Sequence, residues 1–528
     1  MAAASYTTDL QTYDLAITVT NWGELTGMVG TDGNGNADPD LAIHGATCIS
    51  ESQRKSGIGS IAYDGTAPTW TSGWSYFIWN KFFAPNSLGT LAQGGLRVAV
   101  GDTVANYYGW YVDGSDTYQY GGWKNYAVNP EENASAVQTQ GTPNGTWNTV
   151  GMGYNLPING ISKGNSATVD IIRYGRGEAI ITGGGPSPTF SYATFDGLAL
   201  VNDNATTGRW GLFQDVGGSY LQKGLMSFGT ASTAVDFRDS NVVINIDDTS
   251  IGVTSSFNRI EIVNAGSRVD WDTVLITKLG ILSLGEFEVI DNADVNFDDC
   301  SFTGMSTFKF LSNSTINTTA WNICDQITQG GAVFSECDFT NSATSSAVIA
   351  DNIANISNCH FTSDGTGHGI EIPTGATGTY IFTGNLFDGY ATASGSTGNE
   401  MIYNNSGGLV TINVGSPGDT PTYRNGTAAT TVVNNNITVT LTGIKDGTEV
   451  RVYDTGTQSE LAGIESATGG GGIDDREFAF SLGAALVVDI VVHNIDYEYL
   501  RLDAFTIPGS NSSVPIQQRF DRNYSNPI

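Results

Sequence analysis

The stretch Phe297-Asp-Asp-Cys300-Ser-Phe302 recurs, with substitutions, as Phe334-Ser-Glu-Cys337-Asp-Phe339, Ile356-Ser-Asn-Cys359-His-Phe361 and Phe382-Thr-Gly-Asn385-Leu-Phe387. Each copy has an apolar residue, two polar or small ones, a small residue, a variable one and a closing Phe. Trp271-Asp-Thr-Val274-Leu-Ile276 and Ile246-Asp-Asp-Thr249-Ser-Ile251 fit with weaker chemistry. The closing positions 251, 276, 302, 339, 361 and 387 are 25, 26, 37, 22 and 26 residues apart. A period in the twenties, made of short β-rich pieces, marks a solenoid with one coil per repeat. A single coil cannot bury its own apolar face, so neighbouring coils must stack on it. The region therefore predicts a right-handed parallel β-helix. The 37-residue gap reads as one coil carrying an insertion of roughly a dozen residues, since insertions go to loops on one face.

Within a copy, residues 300 and 302 share a strand face, here the inward one. Position 297 is apolar too, but at odd spacing from 300. The backbone must bend or bulge between them. Cys suits the small inward slot because a free thiol packs as a small hydrophobe. Thr249, Val274 and Asn385 fill the same slot, so it selects size more than sulfur chemistry.

The rest of the chain extends an all-β reading. Its 528 residues leave room for two to four domains. Gly contributes 67 residues, and no stretch sustains helical periodicity. Strand-like runs at 13–20, 41–49, 76–83, 96–100, 107–112, 169–174 and 178–182 place an aromatic-rich β-sandwich, lectin-like and jelly-roll in kind, over residues 1–230. The β-helix follows over 231–418, with a last coil at Leu409-Val-Thr-Ile412-Asn-Val414. Gly415-Ser-Pro-Gly-Asp-Thr-Pro421 breaks the pattern. Runs at 437–441, 448–453, 478–482, 487–492 and 497–502 predict a small β-sandwich over 419–507, with Gly469-Gly-Gly-Gly472 as a flexible loop. The polar tail 508–528, carrying Arg519, Phe520, Arg522 and Tyr524, is either disordered or docked on a neighbouring subunit.

Charge narrows the partners. Asp and Glu number 53 against 22 Lys and Arg, a net charge of −31. Such a surface argues against nucleic acid, which needs a basic footprint, and against anionic membranes. The most apolar run, 484–492, holds Asp489 and is too short to span a bilayer, so no membrane insertion is expected. Met1-Ala-Ala-Ala-Ser-Tyr6 has neither a basic nor an apolar signal region, so synthesis in a cytoplasm is expected. Five Cys make no disulfide framework, and free thiols are expected.

Three groups of residues could carry function. Alignment of the copies stacks carboxylates, and Asp299, Glu336 and Asp338, with His360 beside Asp338, could supply the carboxylate pair of a glycan-cleaving enzyme. The same positions are also ordinary solvent-facing positions of a stacked repeat. Asp32-Gly-Asn34-Gly-Asn36-Ala-Asp38 resembles the first half of a calcium-binding EF-hand loop. It departs at Ala37 and Ile43, and a Gly/Asn/Asp turn between strands explains it as well. Between 70 and 126 lie many Trp and Tyr residues, among them Trp70, Trp74, Trp110 and Trp123. Their flat faces and polar edges suit carbohydrate, and equally a core or an oligomer interface. The four His residues lack metal-site spacing, and no cofactor motif is found.

The order of parts then becomes informative. The aromatic-rich segment holds Gly121-Gly-Trp-Lys-Asn-Tyr-Ala-Val-Asn-Pro130 and Asp170-Ile-Ile-Arg-Tyr-Gly-Arg-Gly177. It leads into the repeats and then a small β-domain. This order resembles virion proteins of tailed bacteriophages, of the tailspike and fibre type. The resemblance covers most of the chain at the level of architecture. It implies a homotrimer built with other phage structural proteins in the host cytoplasm, and contact with host surface polysaccharide, sometimes with depolymerase activity. No catalytic motif of that family matches residue by residue. Three readings follow: a spike or fibre that binds glycan, a polysaccharide depolymerase, and a capsid-decorating or tail-building protein without a ligand.

Overall fold

In the computed structural model, the described residues are 3–14, 16, 21–26, 36–38, 48–52, 58–83, 95–111, 124–155, 166–185, 190–195, 198, 212–215, 218–247, 250–251, 258–279, 285–341, 346–363, 367–395, 398–415, 418–467, 469–472 and 475–521. The chain is 57% strand and 3% helical, with large parallel sheets. No helix among the described residues is long and apolar enough to cross a membrane. The chain divides into two compact units, Met1–Phe308 and Lys309–Ile528.

In the first unit, two antiparallel sheets share one apolar core. One joins Lys124–Val128, Ser75–Phe83, Ser166–Gly175 and Cys48–Ser52. The other joins Asn106–Tyr111, Gly95–Thr103, Thr149–Asn155 and Ile58–Asp64. Alternate residues turn inward, so Tyr76, Ile78, Tyr126 and Val128 meet Val98, Val100, Val150 and Met152. The chain then enters three parallel ladders, visited in fixed order. It passes Leu225–Phe228, Val235–Ser240 and Val243–Asp247, then Arg259–Ile262, Arg268–Asp272 and Leu275–Leu279, then Glu286–Val289, Asp294–Asp298 and Ser301–Thr303.

Register corrects the earliest repeat. Ile276 pairs with Ile244, and Trp271 pairs with Asp239. The repeat preceding 271–276 is therefore Asp239-Ser-Asn-Val242-Val-Ile244, not 246–251. Ile251 instead pairs with Val128 of the antiparallel part. Parallel pairing also starts earlier than residue 231, since Glu178–Gly184 pairs in parallel with Leu225–Phe228.

The second unit repeats the pattern. Ile316, Phe334 and Ile356 share register, as do Trp321, Phe339, Phe361 and Phe387. The 37-residue gap thus contains a complete repeat, Ile316-Asn-Thr-Thr319-Ala-Trp321, rather than one coil with an insertion. Val414 aligns with Phe382, not Phe387, and parallel pairing runs on to Thr430–Asn434. Inward aromatic rings stack at the strand spacing: Trp271 on Phe297 at 4.9 Å, Trp321 on Phe339 at 4.9 Å, and Phe339 on Phe361 at 4.7 Å.

The expected bend between positions one and four of each copy is a left-handed residue. Asn241, Thr273, Asp299, Thr318, Glu336, Asn358 and Gly384 all have φ between 47° and 71°. The bends at Asn241, Thr273, Thr318, Glu336 and Asn358 donate their N–H to the neighbouring repeat. Thr273 N donates to Asp298 O, Glu336 N to Ser357 O and Asn358 N to Thr383 O. One residue later the small slot turns inward. Its Thr and Cys occupants donate to the carbonyl two residues back: Thr319 at 2.8 Å, Cys359 at 3.2 Å, Cys337 at 3.3 Å and Cys300 at 3.4 Å. The slot therefore accepts a small side chain, and where that side chain can donate it bonds to a backbone carbonyl, whereas Val242 and Val274 fill it by size alone. All five Cys are buried, and none is in a disulfide.

After the ladders, two further antiparallel sheets enclose a second core with Val439, Leu441, Val450, Val452, Val488 and Ile490. Gly469–Gly472 is a strand paired with Asp475–Leu482, not a loop. The segment after 508 packs on its own chain. Ser512–Pro515 pairs in parallel with Ile437–Ile444, Ile516 is buried, and Glu498 N donates to Arg519 O. Residues 522–528 lie outside the described residues.

Candidate functional site

The first unit gathers aromatic rings at one end of two neighbouring strands of its antiparallel sheets. Ser75–Phe83 and Ser166–Gly175 are paired neighbours, with Tyr76 opposite Tyr174. Tyr76 is fully buried, while Tyr174 is half-buried. Just before the first strand, Trp74 N donates to Thr71 O and closes a tight turn, with Gly73 at φ 83°. That turn brings two half-buried indoles together. Trp70 and Trp74 meet edge to face at 6.1 Å. Trp70 lies 5.2 Å from Tyr76, and Trp74 lies 5.7 Å from Tyr174. Tyr13 adds edge contacts to Tyr76 and Tyr174.

The turn is fastened from a distance. Glu131 lies 58 residues beyond Gly73, and its Oε2 accepts from Ser72 Oγ and from Gly73 N, both at 2.8 Å. Asn129 Oδ1 in turn accepts from Glu131 N at 3.1 Å. On the other side, Tyr174 donates its phenol to Gln11 Oε1 at 2.8 Å. Burial raises the pKa of Tyr13, Tyr76 and Tyr174, so these phenols stay neutral donors. Among the described residues Trp70 Nε1–H has no acceptor. The result is a set of uncharged aromatic faces with a rim of Gln11, Ser72 and Glu131. Such a surface can stack an apolar sugar face and hydrogen-bond its hydroxyls.

The four aromatic candidates separate. Trp70 and Trp74 belong to this cluster. Trp110 does not: it is 2% exposed inside the shared core, because its strand turns that side inward. Trp123 lies outside the described residues. Sequence reasoning missed Tyr174, Gln11 and Glu131. Tyr174 stands within the Asp170–Gly177 stretch, but nothing local marks Glu131.

The carboxylate candidates separate as well. Asp299 belongs to the first unit, and Glu336, Asp338 and His360 to the second. Asp299 and Glu336 are exposed bend residues whose position in the repeat explains them. Asp338 and His360 are register partners, with Asp338 Oδ1 3.7 Å from His360 Nδ1. His360 Nε2 lies 2.7 Å from Asp388 Oδ2, a carboxylate the repeat pattern did not single out. The imidazole therefore stands between two exposed carboxylates. Elsewhere in this unit the buried His368 donates Nδ1–H to Glu400 O at 2.8 Å and stacks on Tyr403. Burial, aided by Arg424, lowers its pKa.

Of the calcium-loop candidates, Asn36 and Asp38 stand in a strand antiparallel to Cys48–Ser52. Asp32 and Asn34 lie outside the described residues. Among the described residues, no three His, Cys, Asp or Glu side chains are grouped to hold a metal ion. No family model and no curated protein matches the chain.

Proposed function

We propose that this chain is a structural component of a tailed-phage virion, a spike or fibre attached to tail or head, that binds host surface glycan through Trp70, Trp74 and Tyr174. In this reading the three ladders are the walls of a right-handed parallel β-helix. The antiparallel sheets before and after it are a lectin-like sandwich and a smaller one. Three copies assemble, and the N-terminal antiparallel part displays the aromatic cluster. The observation that carries the glycan part is the half-buried Trp70–Trp74–Tyr174 cluster, whose rings meet one another while retaining exposed surface. The acidic surface supports it by disfavouring nucleic acid and anionic lipid.

A glycan array read with the wild-type chain and with Trp74→Ala tests this. Binding that disappears in the variant supports it, and unchanged binding refutes the site. A monomer in sedimentation at micromolar concentration counts against the spike. If no saccharide binds, the purely structural reading takes over.

The depolymerase reading rests on His360 between Asp338 and Asp388. It requires reducing ends or unsaturated products from host polysaccharide, lost in Asp388→Asn and Asp338→Asn.

A further inference from the structure

We propose that Glu131 sets the ligand class of the Trp70–Trp74 site: it holds the Trp74 turn in place and bars saccharides that carry an anionic group on the bound edge. This rests on the glycan reading above and deepens it.

The geometry gives Glu131 both tasks. The turn 71–74 has one backbone bond of its own, Trp74 N to Thr71 O. Its middle is tied down by the Glu131 carboxylate through Ser72 Oγ and Gly73 N. Gly73 precedes Trp74 directly, so the carboxylate fixes the backbone from which one indole of the pair projects. Gly73 also has open space where a side chain would stand, so neighbouring bulk does not hold the turn. The two bonds to Glu131 are what define it.

The same carboxylate brings a negative charge to the rim. Trp and Tyr faces carry no compensating charge, and the raised phenols of Tyr13 and Tyr174 stay neutral. The chain as a whole adds a net −31. A hexuronate brought against Trp74 meets this charge beside Gly73, the residue that precedes Trp74, close enough that physiological salt screens it only in part. A neutral hexose brings no charge against that carboxylate and meets only hydrogen-bonding groups at the rim. Between such solvent-exposed like charges the repulsion is worth up to about fivefold in affinity.

Matched neutral-hexose and hexuronate oligosaccharides, titrated against the full chain, test this. The variants are Glu131→Gln, Glu131→Ala and Trp74→Ala, with Glu465→Gln in the second unit as an equal change in net charge. Gln keeps an acceptor oxygen for Ser72 and Gly73 and removes the charge. It is expected to raise hexuronate affinity relative to hexose by about twofold to fivefold. Glu465→Gln is expected to leave that ratio unchanged. Ala removes the acceptor, so it is expected to lower affinity for both sugars and to reduce the near-ultraviolet circular dichroism of the Trp70–Trp74 pair, while Gln retains that signal.

A hexuronate preference in the wild-type chain overturns the inference, as does an unchanged ratio in Glu131→Gln. If the indole signal is intact in Glu131→Ala, the positioning role is wrong even when Trp74→Ala abolishes binding. If Trp74→Ala binds as the wild type does, the site reading itself fails.

Discussion

Asn358 Oδ1 occupies the space in which a side chain at Gly384 would begin. A Cβ built there meets Asn358 Oδ1 at 1.9 Å and Asn358 Cγ at 2.9 Å. Both residues are left-handed bends of neighbouring repeats, at φ 55° and 71°. Gly384→Ala therefore adds a clash to an unfavourable backbone conformation. It is expected to lower stability by about 1–3 kcal/mol in urea unfolding. Asn358→Gly removes the obstructing amide, so the double variant should recover much of the loss. Strictly additive losses would show that the contact is not the cause.

The inward slot predicts a pattern of tolerance at Cys337. Its thiol donates to Ser335 O at 3.3 Å and to Ile316 O at 3.5 Å. Thr319 fills the preceding slot with the same kind of bond. Cys337→Thr should therefore cost less than about 1 kcal/mol, whereas Cys337→Leu overfills the slot and should cost about 1–3 kcal/mol. Burial pushes the Cys300 thiol up to about 11, and burial with the Cys359 thiol beside it raises Cys337 further. Maleimide at pH 8 should leave these thiols unmodified in the folded chain and label all five Cys after unfolding. Rapid labelling of Cys337 in the folded chain would contradict this packing.

The repeats that could be read from sequence are those with aromatic or aliphatic residues in both apolar positions. Phe334 and Ile356, and Phe339 and Phe361, share register as their spacing suggests. The repeat at 239–244 escaped notice because Asp239 stands where an apolar residue is expected. Its carboxylate is satisfied by Tyr192 N at 2.6 Å and Ser240 N at 2.8 Å, a partnership that composition does not reveal. The false match at 246–251 had the right letters, but only strand pairing sends Ile251 elsewhere. The candidate site residues were legible by type and not by side. Trp74 and Trp110 look alike in sequence, and the facing of their strands and turns decides which ring reaches solvent. Glu131 was beyond reach, since its role comes from a contact 58 residues away.

A group of carboxylates around Arg259 predicts a stabilising substitution. Arg259 pairs with Glu261 at 2.5 Å and with Glu288 at 3.5 Å. Glu286 stands beside Arg259 in the ladder, and burial raises its pKa, with Glu288 and Glu261 adding to the rise. A raised carboxyl favours folding fully below the unfolded value of ~4.3. That contribution is lost as pH rises through the raised folded value. Glu286→Gln should therefore raise the melting temperature at pH 7, by the equivalent of less than about 1 kcal/mol after solvent screening. The gain should vanish near pH 4. A variant less stable than wild type at pH 7 would mean that Glu286 makes a favourable contact that outweighs its burial.

Asp489 predicts the opposite pH dependence. It is 3% exposed within the C-terminal core strands, and its carboxylate collects four partners. Ala504 N donates at 2.9 Å, Gln458 Nε2 at 3.2 Å, Thr455 Oγ1 at 3.0 Å and Arg501 at 2.7 Å. These bonds, led by the Ala504 N–H, hold its pKa down to about 2 against the opposing effect of burial. A depressed carboxyl contributes stability above the unfolded value of ~3.9 and loses it as pH falls through the folded value. Asp489→Asn should therefore melt well below wild type at pH 7, because one amide cannot accept all four bonds and Arg501 is left with only Asp503. As pH falls from about 4 toward about 2, the wild type loses this contribution and the variant has none to lose, so the two melting temperatures should converge. A gap that stays constant from pH 7 to pH 2 would show that the substitution acts through packing alone, with no part played by the charge.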